Sequence, residues 1–350
     1  MSSLVEVAPE AWDDLLGRLG LEDVYLRSAY LQSASLLGQG RPTFLALVAD
    51  EGNVVFPCLA RDAPDGYSDV GTPMGYGGPV ASGANPPVAA FFDAYEHWCA
   101  DNGVVATFVR FHPLLENQRL AEGRWHLEHI GHSIGWRIAG RSPEELFAGM
   151  GSHHRRWARK ALAAGIVAGP ASEPGRLEAF VALYEETMRR KDASGFYLFP
   201  TAYWRLLGTD LRDRLVRFDA TLENELVASI VCLAGGAWLH YHLGCSSERG
   251  QSVGANHLLF HVAASWAAER RFARFHLGGG VGGFEDSLYE FKRRFDPEGT
   301  CPAYLGKAVH DVDAYLRLSG AETVDHAGYF PAYRARRGIR RADSPPRQDP

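Results

Sequence analysis

The 350-residue sequence lacks long apolar runs, paired cysteines and an excess of basic charge. Each absence closes off a class of protein. Its hydrophobic stretches are broken by glycine, histidine, arginine or glutamate well short of the ~20 residues a bilayer-spanning helix needs. The first twelve residues hold neither a basic n-region nor an apolar h-region, so no secretory leader is expected. The five cysteines, Cys58, Cys99, Cys232, Cys245 and Cys301, lie far apart with no CxxC pair. That pattern fits reduced thiols and a cytoplasmic compartment. A net charge of −6 argues against a protein that coats nucleic acid, and no DNA partner is expected. HExxH and GxxxxGK[ST] are both missing, which removes the common zinc-hydrolase and nucleotide-triphosphate signatures.

What is present describes a folded α/β chain. With 46% hydrophobic and 22% charged residues it is globular, and its length exceeds a usual single domain, so two are expected. Residues 28–36 read as a helix. Runs at 43–48 and 54–59 flank the turn-like Ala49-Asp50-Glu51-Gly52-Asn53 and read as a hairpin. Residues 71–80 are too rich in glycine and proline for a regular helix. A helix over 87–102 and a strand over 104–111 complete one α/β unit. Ser142-Pro143-Glu144-Glu145 is a capping-box start, with proline at the first helical position, and the pattern restarts there. A helix to Gly165, a strand at 166–168 and a helix over 176–190 follow. The last shows one apolar stripe of Leu177, Phe180, Val181, Tyr184 and Met188. Strands at 214–220, 225–233 and 238–243 precede a loop over 244–250, a long helix over 253–270, a strand at 272–277 and a glycine loop. Tight turns between consecutive strands make the sheets mixed, unlike a plain dinucleotide-binding fold. The expected division is 1–140, 141–308, a helical segment 309–335 that returns to the first lobe, and a disordered tail 336–350.

Several segments carry chemistry. Alternation along Trp238–Leu243 places Trp238, His240 and His242 on one face and Leu239, Tyr241 and Leu243 on the other. Two histidines so spaced lack a third metal ligand, so no metal is expected. Either could be a base near neutral pH, and Glu223 and Glu248 are further candidates. Tyr241 could donate to a reacting carbonyl or stand as a wall residue. The loop containing Arg249, Gly250, Gln251 and Gly254 opens the long helix, where backbone N–H groups could receive a phosphate. Residues 141–160 are basic through Arg141, Arg155, Arg156, Arg159 and Lys160; a second basic stretch starts at Arg334. Each could hold phosphates or be a solvated face. Lys292, flanked by Phe291 and Phe295 below Gly278-Gly279-Gly280, could be a desolvated cation that stabilises a developing oxyanion.

Taken together, Gly75-Tyr76-Gly77-Gly78-Pro79-Val80, His154-Arg155-Arg156-Trp157-Ala158-Arg159-Lys160-Ala161, Tyr241-His242-Leu243-Gly244 and Phe291-Lys292-Arg293-Arg294-Phe295 carry a likeness. Over roughly residues 20–335 the sequence resembles the FemABX-type aminoacyl transferases and BioF2-like acyltransferases of the GNAT superfamily. The resemblance implies two tandem GNAT-like lobes, the second catalytic, and an amide-forming acyltransferase. The implied donor is aminoacyl-tRNA, through its 3′ end, and the acceptor an amine of a small peptide or cell-wall-type precursor. It implies oxyanion stabilisation by Lys292 and substrate-facing roles for Arg156 and Lys160. The long coiled-coil arm of some members is absent, since residues 149–176 hold one short helix. The alternative donor is acyl-CoA, although Gln251-Ser252-Val253-Gly254-Ala255-Asn256 departs from the usual pyrophosphate pattern at its last position. A non-catalytic binding module is a third reading. No tightly bound cofactor and a monomer are expected.

Overall fold

A computed structural model describes residues 3–192 and 195–335. The first lobe contains β1 (Val5–Glu6), α1 (Pro9–Arg18), α2 (Ser28–Leu36), β2 (Arg41–Val48), β3 (Gly52–Asp62), β4 (Ser68–Gly71), β5 (Val80–Gly83), α3 (Val88–Asp101), β6 (Val104–Arg110) and β7 (His126–Arg137). Then come α4 (Pro143–Gly149), α5 (Ser152–Ala163), β8 (Val167–Pro170), α6 (Glu178–Arg190), α7 (Thr201–Thr209), β9 (Leu215–Leu222), β10 (Glu225–Gly235) and β11 (Trp238–Ser246). The chain continues with α8 (Glu248–Val253), α9 (Ala255–Glu269), β12 (Arg274–Gly278), α10 (Ser287–Arg293), β13 (Thr300–Val309) and α11 (Val312–Ser319).

Local chemistry sets many of these boundaries. Ser142 accepts from the Glu145 N–H while the Glu145 carboxylate accepts from the Ser142 N–H, closing the capping box that starts α4. Glu223 and Asn224 both take left-handed backbone angles, φ 53° and 67°, which lets β9 and β10 turn in two residues. The apolar stripe of α6 buries Phe180, Leu183 and Tyr184 against β10 and β11.

Among the described residues the strands form one 13-stranded mixed sheet, ordered β1-β2-β3-β4-β6-β13-β7-β12-β11-β10-β9-β8, with β5 on β3. β13 follows the second-lobe elements in sequence yet lies antiparallel between β6 and β7. α11 packs Ala314 and Tyr315 on Val105 and Ala106 of β6. β11 and β12 are parallel but pair only over Trp238–His240 and Arg274–His276; beyond that they part.

The structure departs from the sequence expectations in places. A bulge on β11 puts Val231 opposite Leu243 and Cys232 opposite Tyr241, so His242 is the extra residue. The face alternation therefore reverses there. Leu243 packs with Val231 and Leu233, on the opposite side to Leu239 and Tyr241. The supposed loop 244–250 is strand to Ser246 and then the short α8. Elements α1, β7, α7, α10 and β13 were not expected. The tail 336–350 lies outside the described residues. None of the described helices is long and apolar enough to cross a membrane.

Candidate active site

The gap where β11 and β12 part exposes Tyr241 and His242 on one strand and Leu277 and Gly278 on the other. α10 lies beside it. Its cap, Asp286, accepts from the Tyr289 N–H at 2.9 Å and from the Val281 N–H at 3.0 Å, so one carboxylate starts the helix and ties down the glycine loop. Gly280 has no alternative in that loop, because a Cβ there would fall 2.1 Å from the Phe284 carbonyl oxygen. Lys292, on the last turn of α10, is only 6% exposed. Its Nζ donates to the Gly279 carbonyl at 2.6 Å and stands 5.6 Å from the centre of the Tyr241 ring. Burial pulls its ammonium down to about 8, with Asp286 opposing the shift. Gly278 (φ +75°) keeps the floor open. A Cβ there would lie 3.5 Å from the Tyr76 hydroxyl and 3.6 Å from the Lys292 Nζ.

Two cavities meet at this point. A cleft of about 710 Å³ runs between the lobes, past Tyr76, His276 and the 278–282 loop. A smaller one of about 200 Å³ lies among β11, α9 and α10, near Gly244 and Asn256. Tyr241, Leu288 and Lys292 line both. The ammonium therefore stands where a group entering from one side would meet a group entering from the other.

Behind the cleft runs a buried polar chain that joins the lobes. Asp23, which caps the turn before α2, accepts from the Tyr25 N–H at 2.9 Å; its other oxygen lies 2.9 Å from His240 Nε2 and 3.5 Å from His112 Nε2. His240 Nδ1 is 3.1 Å from His276 Nδ1, and His276 Nε2 is 3.1 Å from the Ser133 hydroxyl. Partners assign the protons. His112 Nδ1 accepts from the Leu114 and Leu115 N–H groups, so its proton sits on Nε2, towards Asp23. With the carboxylate able only to accept, the chain runs Ser133 O–H to His276, His276 N–H to His240, and His240 N–H to Asp23. Burial holds His240 and His276 below the ordinary imidazole value, hence neutral. The two imidazoles hold the Asp23 carboxyl far below its usual range against the opposing effect of burial. The Asp23, His112 and His240 ligand atoms lie within 4.8 Å of one another. His112 nonetheless has no free lone pair on Nε2 to give a metal in this tautomer.

His242 is held separately, 2.6 Å from the Tyr203 hydroxyl, with burial lowering it to about 4. Sequence reasoning missed Asp23, His112, His276 and Ser133, and no local spacing links these four segments.

The remaining sequence candidates lie elsewhere. Arg249 is at the surface in ion pairs with Glu223 (2.6 Å) and Glu225 (3.1 Å). Gly250 packs so closely on β10 that a Cβ would fall 2.2 Å from the Val227 carbonyl oxygen. Its N–H goes to the Ser247 hydroxyl, and those of Gln251 and Gly254 go to the carbonyls of Ser247 and Gln251. Gly254 is left-handed, φ +86°, at the α8–α9 joint. Lys160 donates to the Ser252 carbonyl at 2.7 Å and lies 4.4 Å over the Trp157 ring, while Arg156 is exposed on α5.

The fold has known counterparts. Residues 151–293 match the family model described as Acetyltransferase (GNAT) domain. This stretch of the second lobe is thus similar to a GNAT domain. Its span covers α5 through α10 and includes Tyr241 and Lys292. The chain shares its fold with the solved structure of FemX (14% identity, TM-score 0.65), the match covering 90% of this chain and 99% of that one. It shares it also with L-PGS from Bacillus licheniformis (14% identity, TM-score 0.55, covering 87% and 92%). A tandem GNAT protein from the clavulanic acid biosynthesis pathway is a further fold relative (11% identity, TM-score 0.50, covering 89% and 99%). No curated protein matches the sequence.

Proposed function

We propose that this acyltransferase makes amide bonds, moving an aminoacyl group from aminoacyl-tRNA to an amine of a small peptide or cell-wall-type precursor. The observation that carries the reading is Lys292, a buried ammonium on the shared wall of two cavities. The acceptor amine enters from the interlobe cleft and the activated carbonyl from the smaller cavity. As nitrogen attacks, negative charge grows on the carbonyl oxygen, and a fixed cation shielded from water lowers that barrier. Tyr241 forms the wall beneath the ammonium. The C–N bond forms, the ester C–O bond breaks, and the amine proton leaves with the ribose hydroxyl.

The state of the 249–254 segment supports tRNA over CoA as donor. The N–H groups of Gly250, Gln251 and Gly254 are spent within α8, and Arg249 is held by two glutamates. A pyrophosphate would have to break those bonds. The exposed basic face of α5, with Arg156, supplies phosphate contacts for an RNA end instead.

The test is transfer of label from charged tRNAs to an amine panel, run beside acetyl-CoA. Label transfer from tRNA that Lys292→Ala lowers at least about tenfold in kcat/KM, or over ~1.4 kcal/mol, is the expected result. Transfer from acetyl-CoA alone overturns the donor assignment, and near-wild-type kcat/KM in the variant overturns the oxyanion role.

A further inference from the structure

The interlobe cleft is electrically one-sided. Among the described residues four cations line it, Arg61, Arg110, Lys292 and Arg334, and no aspartate or glutamate does. On the first-lobe side, Arg61 and Arg334 both bind the fully buried carboxylate of Asp69, Arg61 through Nε at 2.5 Å. One anion thus faces two guanidinium groups. Arg61 Nη2 is buried with no hydrogen-bond partner among the described residues, and so is Nε2 of Gln39, whose Oε1 already accepts from the Met74 N–H at 2.7 Å. Arg110 shares this face: Arg61 pairs with Asp69, Asp69 with Ala106, and Arg110 lies two alternations beyond Ala106 on β6. Its guanidinium forms no ion pair or hydrogen bond with any described residue.

Leaving a buried donor unpaired costs about 1–3 kcal/mol, and uncompensated like charges add to that. Two unpaired buried donors and a free guanidinium, all lining one cleft, are what an absent anion would satisfy. Guanidinium forks match the two-oxygen edge of a carboxylate or phosphate. We infer that these first-lobe groups hold an oxyanion of the acceptor, so that the acceptor is an amine bearing a carboxylate or phosphate away from its reacting nitrogen. This rests on the proposed function for the word acceptor; the anion site itself does not. The surplus charge also draws an anionic acceptor into the cleft.

Calorimetric titration of the whole protein with inorganic pyrophosphate, and separately with glutarate, tests it without any turnover. Binding of either anion is expected, weakened at least about tenfold by Arg110→Gln and by Gln39→Leu, unchanged by Arg249→Gln, and falling with added salt. Pyrophosphate alone binding assigns a phosphate-bearing acceptor, and glutarate alone a carboxylate. The inference is overturned when neither anion binds to wild type. It is equally overturned when Arg249→Gln abolishes binding and the folded Arg110→Gln protein, checked by circular dichroism, keeps it. Failure of aminoacyl transfer with anion binding intact removes only the functional reading.

Discussion

Lys292→Met separates what the buried ammonium costs the fold from what it does for chemistry. A fall from 10.5 to about 8 corresponds to about 3 kcal/mol of preference for the neutral form. At neutral pH the side chain is charged nonetheless, so the native state bears that cost. Methionine removes it and fills similar volume, but forfeits the hydrogen bond to the Gly279 carbonyl, about 1–2 kcal/mol. The variant is therefore expected to be more stable than wild type by about 1–2 kcal/mol at neutral pH. Between about pH 8 and 10.5 the unfolded chain keeps the lysine proton that the native state has released. Stability of the wild type then rises with pH, while the variant has no such term. The difference should shrink by about 3 kcal/mol across that window and change sign near its middle, at about pH 9. Urea unfolding of both proteins at about pH 7, 9 and 11 measures it; other titrating groups are common to both and cancel. A stability difference that stays constant with pH would refute the reasoning.

Other consequences follow from the same geometry. His154 and His242 are lowered to about 4 and His257 to about 3, and His240 and His276 also lie below their ordinary value, all chiefly by burial. These groups stay neutral in the fold but take up protons on unfolding below about pH 6.5, so stability falls as pH drops from there; a urea midpoint unchanged between about pH 7 and 5 contradicts this. Asp23→Asn turns one of the carboxylate oxygens into an N–H₂ donor facing imidazole N–H groups, and is expected to cost about 3 kcal/mol in chemical unfolding. A loss under about 1 kcal/mol would mean that the chain can reverse its proton order. Gly250→Ala drives a methyl into the Val227 carbonyl and should lower stability by at least about 2 kcal/mol. A fully stable Gly250→Ala protein would show that α8 is not clamped to β10.

Legibility from sequence followed the range of the interactions involved. The capping box at Ser142, the Glu223-Asn224 turn and the α6 stripe are written in neighbouring residues and could be read directly. β7 carries glycines at 131 and 135 and mostly polar residues in its first half, and β13 opens Thr300-Cys301-Pro302, so neither shows clean alternation. Both are strands because they pair with each other and with β6 and β12. At Tyr241 the period-two reading held only up to the bulge, which depends on β10. Tyr241 and Lys292 could be singled out from local motifs, and the structure brings them within one ring contact. The Asp23–His240–His276 chain and the Arg61–Asp69–Arg334 group could not, since each joins segments separated by dozens to hundreds of residues.

The position of β13 has a consequence for synthesis. β6 and β7 are finished by residue 137, yet each offers an edge that only Thr300–Val309 covers. A nascent chain therefore carries these open edges until Thr300–Val309 is made, and open edges template wrong pairings. Among the described residues, the last strand in sequence is the one that closes the first lobe. Synthesis of Thr300–Val309, rather than completion of the first half, sets when this sheet can close.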